Sequence, residues 1–228
     1  IVGGMALTVA LQAQAQAQEL TGTLKKVKAT GTLSIGYRES SIPFSYLDNR
    51  AQPIGYAMDL CMKIVDAVKV ELGMPDLKLR MQPVTSSNRI PLLKNGTIDL
   101  ECGSTTNSKV RQKQVAFGPT YFIINISAAV KKTSGIDRIE QLDGRTISTT
   151  SGTTSVPLLR AYQRGKEVRV KEIYGKDHAE SFLLMTEDRA VAFLMDDILL
   201  AGQIANAKKP ELYKILPESL RQEPYSMM

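Results

Sequence analysis

The stretch ECGSTTNSKVRQKQ, residues 101–114, decides how the rest of the chain is interpreted. It has the pattern of the end of a buried strand, then a loop of small hydroxyl residues, then a short polar helix that carries Arg111. Such a loop offers backbone N–H groups, the hydroxyls of Ser104, Thr105 and Thr106, and one guanidinium group to a bound anion. The pattern therefore predicts a loop that binds a carboxylate at the end of a strand.

The residues before this stretch alternate between strand-like and helix-like patterns. The predicted order is a strand at Leu33–Tyr37, a helix at Asp59–Leu72, a strand at Leu77–Val84, a two-turn helix capped by residues 85–89, and a strand at Ile98–Gly103. This succession is typical of a parallel α/β sheet. Because ligands bind outside the carboxyl ends of such strands, we expect Arg38 and the loops at 86–89 and 104–111 to lie close together.

The same alternation begins again after residue 131. Strands are predicted at Thr146–Thr149, Val168–Ile173, Ala190–Met195 and Tyr213–Leu216, and helices at Ile136–Leu142, Ser155–Gln163, Ala179–Thr186 and Ile198–Ala207. A second hydroxyl-rich loop, Thr150–Thr154, follows the first of these strands, and Asp196 follows the third. Two successive α/β units predict two lobes with a cleft between them, lobe 1 at residues 19–130 and lobe 2 at 131–221.

Composition indicates an ordinary globular protein. The chain has 228 residues, of which 43% are hydrophobic and 23% charged, and its net charge is +6. Lysine and arginine residues are dispersed among acidic ones, with no basic block and no interleaved aromatic residues. Nucleic-acid binding is therefore not predicted.

The first residues differ in kind from the others. The run MALTVAL at 5–11 is apolar, and Ala15 and Ala17 provide a small-x-small cleavage site. We interpret residues 1–18 as part of a secretory signal peptide, so the mature protein is expected in the periplasm. The alternative is a buried N-terminal helix.

Two cysteines, Cys61 and Cys102, have two open interpretations. They suit a disulfide in a protein outside the cytoplasm, and equally a pair of buried free thiols. With one histidine in the whole chain, they do not form an ordinary zinc site, and no metal is predicted.

Several motifs occur together along the chain. They are GYRESSIPFSY at 36–46, TSSNRIPLL at 85–93, DLECGSTTN at 99–107, RQKQVAF at 111–117, TSGTTS at 150–155, KDHAESF at 176–182 and RAVAFLMDDILLAG at 189–202. In this order they resemble the extracellular solute-binding proteins of family 3, and among them those that bind glutamate and aspartate. The resemblance extends from about residue 24 to residue 228.

The resemblance implies a two-lobe periplasmic binding protein fold of type II, whose lobes are joined by two crossover strands. It implies a monomer without a cofactor that captures L-glutamate or L-aspartate by hinge closure and delivers it to the membrane permease of an ABC importer. Residues 222–228 match the start of the second crossover strand, so we expect the C-terminal return to lobe 1 to be missing. Local composition alone predicts a turn at Pro224 and Tyr225.

Site residues follow from the resemblance position by position. Arg111, helped by Thr106 and Thr154, is expected to clamp the α-carboxylate of the ligand. Asp196 and Ser104 are expected to receive its α-ammonium group.

Four further residues are expected to hold the side-chain carboxylate, namely Arg38, Ser86, Arg89 and His178. The charges agree with these roles, since a molecule with two carboxylates and one ammonium group requires an excess of fixed cations. Arginine suits this purpose because its planar fork pairs with a carboxylate through two hydrogen bonds.

Other interpretations of these residues stay open at this point. The arginines could lie on the surface, as most do, and Asp196 or Asp197 could simply cap the following helix. A periplasmic dehydratase or lyase would use a carboxylate or histidine, for which His178, Asp196 and Glu39 are candidates. A ligand-sensing domain of a receptor is a further alternative.

Overall fold

The computed structural model describes residues 19–166 and 168–228, so the expected signal peptide lies outside the described residues. The helices are α1 Gly22–Thr30, α2 Tyr56–Leu72, α3 Arg89–Lys94, α4 Lys109–Gln112, α5 Ser155–Lys166, α6 His178–Thr186 and α7 Asp197–Ala205. The strands are β1 Thr32–Tyr37, β2 Ser40–Ser41, β3 Ser45–Leu47, β4 Pro53–Ile54, β5 Lys78–Pro83, β6 Leu100–Cys102, β7 Thr120–Lys131, β8 Thr146–Thr150, β9 Lys171–Gly175, β10 Ala192–Asp196, β11 Tyr213–Ile215 and β12 Arg221–Ser226.

Lobe 1 contains the predicted parallel sheet, in the order β5-β1-β6. Its central strand β1 pairs with both neighbours, so that Ile35 lies opposite Met81 on one side and Leu100 on the other. A small antiparallel sheet, β2-β3-β4, follows β1. Because all three main strands run in the same direction, their carboxyl ends and the loops that follow them meet at one edge.

Lobe 2 contains a second sheet, in the order β11-β7-β10-β8-β9. The strands β10, β8 and β9 are parallel, whereas β7 is antiparallel to β10. The carboxyl ends of β8 and β10 therefore point the same way, and they carry the hydroxyl loop at 150–154 and Asp196.

Two strands connect the lobes. The first half of β7 pairs with β12, with Phe122 opposite Tyr225, and its second half pairs with β10, with Ala129 opposite Phe193. The turn predicted at Pro224 and Tyr225 is wrong, because both residues belong to β12 and pair with β7.

The last residues of the chain contact lobe 1. The backbone N–H of Glu101 donates to the carbonyl of Met228 at 2.9 Å, and that of Ser226 donates to the carbonyl of Thr105 at 3.0 Å. Met227 and Met228 are buried against the sheet. The residues after β12 thus add hydrogen bonds at the edge of β6.

The open question about the cysteines is resolved in favour of the disulfide. Cys61 of α2 and Cys102 of β6 are bonded, with their Cα atoms 5.9 Å apart, and both are fully buried. The bond fixes α2 against the strand that leads into the loop at 104–111.

Some local predictions were displaced or incomplete. The strand predicted at Val168–Ile173 begins only at Lys171, because the side chains of Asp143 and Gln163 bind the backbone N–H groups of Arg169 and Val170. Helix α1 was not predicted; only Val27 among its residues is buried. Within the described ranges, no helix is both long and apolar enough to traverse a bilayer.

Candidate functional site

The residues expected to bind a ligand converge between the two lobes. Eight of the nine line one small cavity, together with Thr153 and Met195; they are Ser86, Arg89, Ser104, Thr106, Arg111, Thr154, His178 and Asp196. The ninth, Arg38, lies beside it with its Nη2 3.4 Å from His178 Nε2.

Arg38 follows β1 directly and is only 1% exposed. Its backbone N–H donates to Ser45 Oγ at 2.8 Å, which fixes the loop that carries it. Burial, followed by repulsion from Arg89, lowers the pKa of Arg38 to about 10, so the group remains charged at neutral pH. Within the described part of the chain, its Nη1 has no hydrogen-bond partner.

His178 is the first residue of α6 and is buried against Arg38. Since Arg38 Nη2 can only donate, His178 Nε2 accepts and its Nδ1–H donates to Thr150 Oγ1 at 2.9 Å. Burial and the charges of Arg38 and Arg89 hold the pKa of His178 well below its usual value. The imidazole is therefore neutral.

Arg89 opens α3 and is held from within lobe 1. Its Nη1 donates to the carbonyl of Ser104 at 3.0 Å and lies 3.8 Å from Glu101 Oε1. Glu101 is fully buried, and its Oε2 accepts a hydrogen bond from Thr105 Oγ1 at 2.7 Å. Sequence reasoning missed this counter-ion, although a carboxylate in a buried strand is itself an unusual signal.

Arg111 of α4 connects the two lobes. Its Nη1 donates to the carbonyl of Thr106 and its Nη2 to that of Gly152, both at 3.1 Å. Burial, and next the charge of Arg89, lower the pKa of Arg111 to about 10. The guanidinium is therefore charged and oriented by groups on both sides of the cleft.

Asp196 ends β10 and is 2% exposed. Its Oδ2 accepts a hydrogen bond from the Tyr225 hydroxyl, whereas its Oδ1 has no hydrogen-bond partner among the described residues. Burial raises the pKa of Asp196 to about 7, against the effect of the Tyr225 hydrogen bond. The next residue, Asp197, binds the N–H groups of Asn125 and Ile198, so it stabilises the start of α7 in place of Asp196.

The hydroxyl groups of the cleft have unequal surroundings. Ser104 Oγ donates to Ser41 Oγ at 3.1 Å, and Thr154 Oγ1 donates to Glu223 Oε2 at 2.6 Å. Ser86 Oγ is buried and makes no hydrogen bond within the described ranges. Sequence reasoning missed Glu223 and Tyr225, because neither the turn predicted from composition nor the match to a crossover strand indicates which residues their side chains contact.

The charges of the cleft favour an anion that also carries a positive group. Three buried guanidinium groups face the buried carboxylates of Glu101 and Asp196, while the nearby Glu223 is paired with Arg221. A ligand with two carboxylates and one ammonium group complements this arrangement. The described ranges contain no group of three His, Cys, Asp or Glu residues placed to hold a metal ion.

Comparison with known proteins shows which family the chain matches. The model of the bacterial extracellular solute-binding proteins, family 3, matches residues 33–224. The chain is 52% identical to the L-glutamate/L-aspartate-binding protein of Pseudomonas aeruginosa over 88% of its length and 67% of the relative. It is 45% identical to the glutamate/aspartate import solute-binding protein of Escherichia coli, over 98% and 74% of the two chains.

A solved structure is similar as well. The cysteine-binding protein from Campylobacter jejuni has a TM-score of 0.77 and 26% identity, over 91% of this chain and 79% of that one. The two-lobe solute-binding fold expected from the sequence is thereby confirmed.

Proposed function

This chain belongs to the bacterial extracellular solute-binding proteins of family 3, and we propose that it captures an acidic amino acid, L-glutamate or L-aspartate. The lobes close over the ligand, and the loaded protein delivers it to the membrane permease of an ABC importer. The protein acts as a monomer in the periplasm. The names of the two relatives described above support this substrate class.

One observation supports the proposal most strongly. Four of the residues expected to bind the ligand carry a buried polar atom that makes no hydrogen bond within the described part of the chain; these atoms are Arg38 Nη1, Ser86 Oγ, Arg89 Nε and Asp196 Oδ1. Leaving such groups unpaired is unfavourable by about 1–3 kcal/mol each. A zwitterionic dicarboxylate offers acceptors to the three donors and a donor to Asp196.

The two ends of the ligand have separate partners in this proposal. Arg111 pairs with the α-carboxylate, helped by Thr106, while Asp196 and Ser104 receive the ammonium group. Thr154 can help Arg111 to bind the α-carboxylate only if its hydroxyl donates to the ligand instead of to Glu223, because a hydroxyl has a single proton to donate.

The side-chain carboxylate faces the other part of the cleft. Arg38 and Arg89 supply the charge, and Ser86 supplies a hydroxyl. His178, which is neutral, orients Arg38 by accepting its hydrogen bond. This group distinguishes acidic amino acids from neutral ones, since a neutral amide leaves one buried cation uncompensated.

We propose binding without catalysis. Of the three candidates for acid–base chemistry, Glu39 is exposed, and both ring nitrogens of His178 are engaged by Arg38 and Thr150. Asp196 is engaged by Tyr225 on one oxygen. Incubation with L-glutamate should therefore return the amino acid unchanged by mass spectrometry, and formation of a product would contradict this assignment.

Titration calorimetry with four amino acids tests the substrate class. L-glutamate or L-aspartate should bind at least about 100-fold more tightly than L-glutamine and L-asparagine, because the amides lose a charged interaction of about 3 kcal/mol. Similar affinities for acids and amides would contradict the proposal.

A further inference from the structure

The second crossover strand presents two side chains to the cleft. Glu223 and Tyr225 of β12 are two positions apart, so they lie on the same face of the strand. Both are buried, at 3% and 0% exposure. Each binds a residue of lobe 2 that is expected to touch the ligand, Glu223 through Thr154 and Tyr225 through Asp196.

The segment around Tyr225 is fixed to the ligand-binding loop of lobe 1. The backbone N–H of Asn107 donates to the carbonyl of Pro224 at 2.9 Å, and that of Ser226 donates to the carbonyl of Thr105 at 3.0 Å. Thr106 and Tyr225 also form a β-bridge. The hydroxyl of Tyr225 therefore has its position set by lobe 1, while its partner Asp196 belongs to lobe 2.

The ring of Tyr225 is held by other aromatic residues. It packs edge-on against Phe44, with ring centroids 5.2 Å apart, and lies 6.3 Å from Tyr121. Such packing restricts the direction of the hydroxyl, because rotation of the side chain would displace neighbouring rings.

We propose that Tyr225 is a positioning residue for amino-acid capture, whose hydroxyl holds one oxygen of Asp196 and leaves the other oriented toward the ligand's ammonium group. This inference rests on the proposed function. It extends that function by adding a residue of the second crossover strand that supports the ammonium site without contacting the ligand.

The electrostatic surroundings of Asp196 agree with this role. Burial is the main cause that raises the pKa of Asp196; Glu223 from β12 and Asp197 from α7 raise it further by repulsion, and Arg89 from α3 lowers it. The Tyr225 hydroxyl also lowers the pKa of Asp196, because it donates to the ionised form. Only ionised Asp196 attracts an ammonium group, so the tyrosine favours the form that binds.

The test is Tyr225→Phe, which keeps the ring and removes the hydroxyl. In the ligand-free protein, the titration midpoint of the Asp196 carboxyl carbon, followed by NMR, should rise by about one pH unit. The affinity for L-glutamate should fall about fivefold at pH 7, where the ionised fraction of Asp196 falls by that factor, and recover toward that of the parent protein at pH 9. Glutarate, which has both carboxylates and no ammonium group, should show a smaller change at pH 7.

Tyr121→Phe is the matched control. Tyr121 belongs to the same aromatic group, but its hydroxyl donates to the carbonyl of Gly103. The Tyr121→Phe variant should therefore leave the titration midpoint of Asp196 unchanged. A Tyr225→Phe protein whose midpoint is unchanged or lower would overturn the inference, as would an equal shift in both variants.

Two further measurements keep the outcomes distinct. If Tyr225→Phe does not fold, difluorotyrosine at position 225 replaces it; its more acidic hydroxyl should lower the Asp196 midpoint, and an unchanged midpoint would overturn the inference. Failure of the parent protein to bind any acidic amino acid would contradict the proposed function. The NMR midpoint, measured without ligand, would still decide whether Tyr225 controls Asp196.

Discussion

The two faces of the cleft hold their binding groups in different ways. On the lobe 1 face, the cations are supported mainly from within lobe 1: Arg89 is held by Ser104 and Glu101, and the loop of Arg38 by Ser45. On the lobe 2 face, Asp196 and Thr154 are held by side chains of the second crossover strand.

This difference suggests a division of the recognition task. The half of the site proposed to bind the side-chain carboxylate is supported mainly by strand ends and a buried counter-ion of lobe 1, with His178 of lobe 2 bound to Arg38. The half proposed to receive the ammonium group also depends on β12, which binds Asp196 and Thr154. Selectivity for an acidic side chain should therefore depend on lobe 1, and capture of an amino acid as such on both.

The largest effect is expected from Arg111→Ala. Arg111 contacts both faces through the carbonyls of Thr106 and Gly152, and removing one partner of a buried charge pair is unfavourable by about 2–5 kcal/mol. Calorimetry should show that every amino acid loses affinity, by roughly 30-fold or more. The control Lys109→Ala removes an equal charge from an exposed position of the same helix and should change little; equal losses in both variants would refute the role of Arg111.

Arg89→Ala should have a smaller and more selective effect. The acidic ligands should lose about 10- to 100-fold in affinity, and L-glutamine much less, because only the former place a carboxylate beside Arg89. Lys94→Ala, at the exposed end of the same helix, is the matched control. An equal loss of affinity for acids and amides would contradict the assignment of Arg89 to the side-chain carboxylate.

Gly202→Ala tests the contact between the lobe 1 and lobe 2 faces of the cleft, and it changes no residue expected to bind the ligand. A Cβ at Gly202 of α7 would lie 2.5 Å from the carbonyl oxygen of Ile42 in lobe 1, so an added methyl group should prevent full closure. We expect about a tenfold loss of affinity that is the same for glutamate and aspartate, with less compaction on binding in small-angle scattering.

Gly165→Ala is the control for that experiment. Gly165 also lies within a helix, and apart from its chain neighbours and its own helix backbone no atom of the described residues lies within 4 Å of the Cβ that it would acquire. Affinity and compaction should match those of the parent protein. If both glycine variants behave alike, the effect at position 202 arises from the helix and not from closure.

The last effect concerns stability and its dependence on pH rather than affinity. The pKa of Asp196 is raised from 3.8 to about 7 by burial, so between these values the folded protein holds a proton that the unfolded chain has lost. The contribution of this proton to the stability of the folded protein is fully present below pH 3.8 and is lost as the pH rises through 7. Without ligand, Asp196→Asn should become more stable relative to the parent protein as the pH rises from 4 to 7, by at most about 1.4 kcal/mol per unit; urea unfolding at several pH values measures this, and a constant difference would contradict it.

Much of the lobe 1 face could be predicted from the sequence. Arg38, Arg89 and Arg111 each follow or adjoin a strand end in a chain with parallel α/β order, and that order brings strand ends together. The family resemblance added the lobe 2 residues Thr154, His178 and Asp196, which the cavity brings to the same place.

The supporting groups could not be predicted in the same way. Tyr225 and Glu223 lie beside Asp196 and Thr154 only through pairing of β12 with β7 across about 100 residues of chain, and nothing in EPYS at 223–226 indicates that pairing. Glu101 is recognisable as a counter-ion only when Arg89 is known to lie against it. The close approach of Gly202 to Ile42 depends on how the lobes meet, which no local pattern encodes.

The most direct test is a crystal structure of the protein with L-glutamate. The ligand should lie between the lobes with its α-carboxylate on Arg111, its ammonium group on Asp196 Oδ1 and its side-chain carboxylate toward Arg38 and Arg89. A ligand bound to one lobe alone, or with its side-chain carboxylate on Arg111, would contradict the proposed recognition.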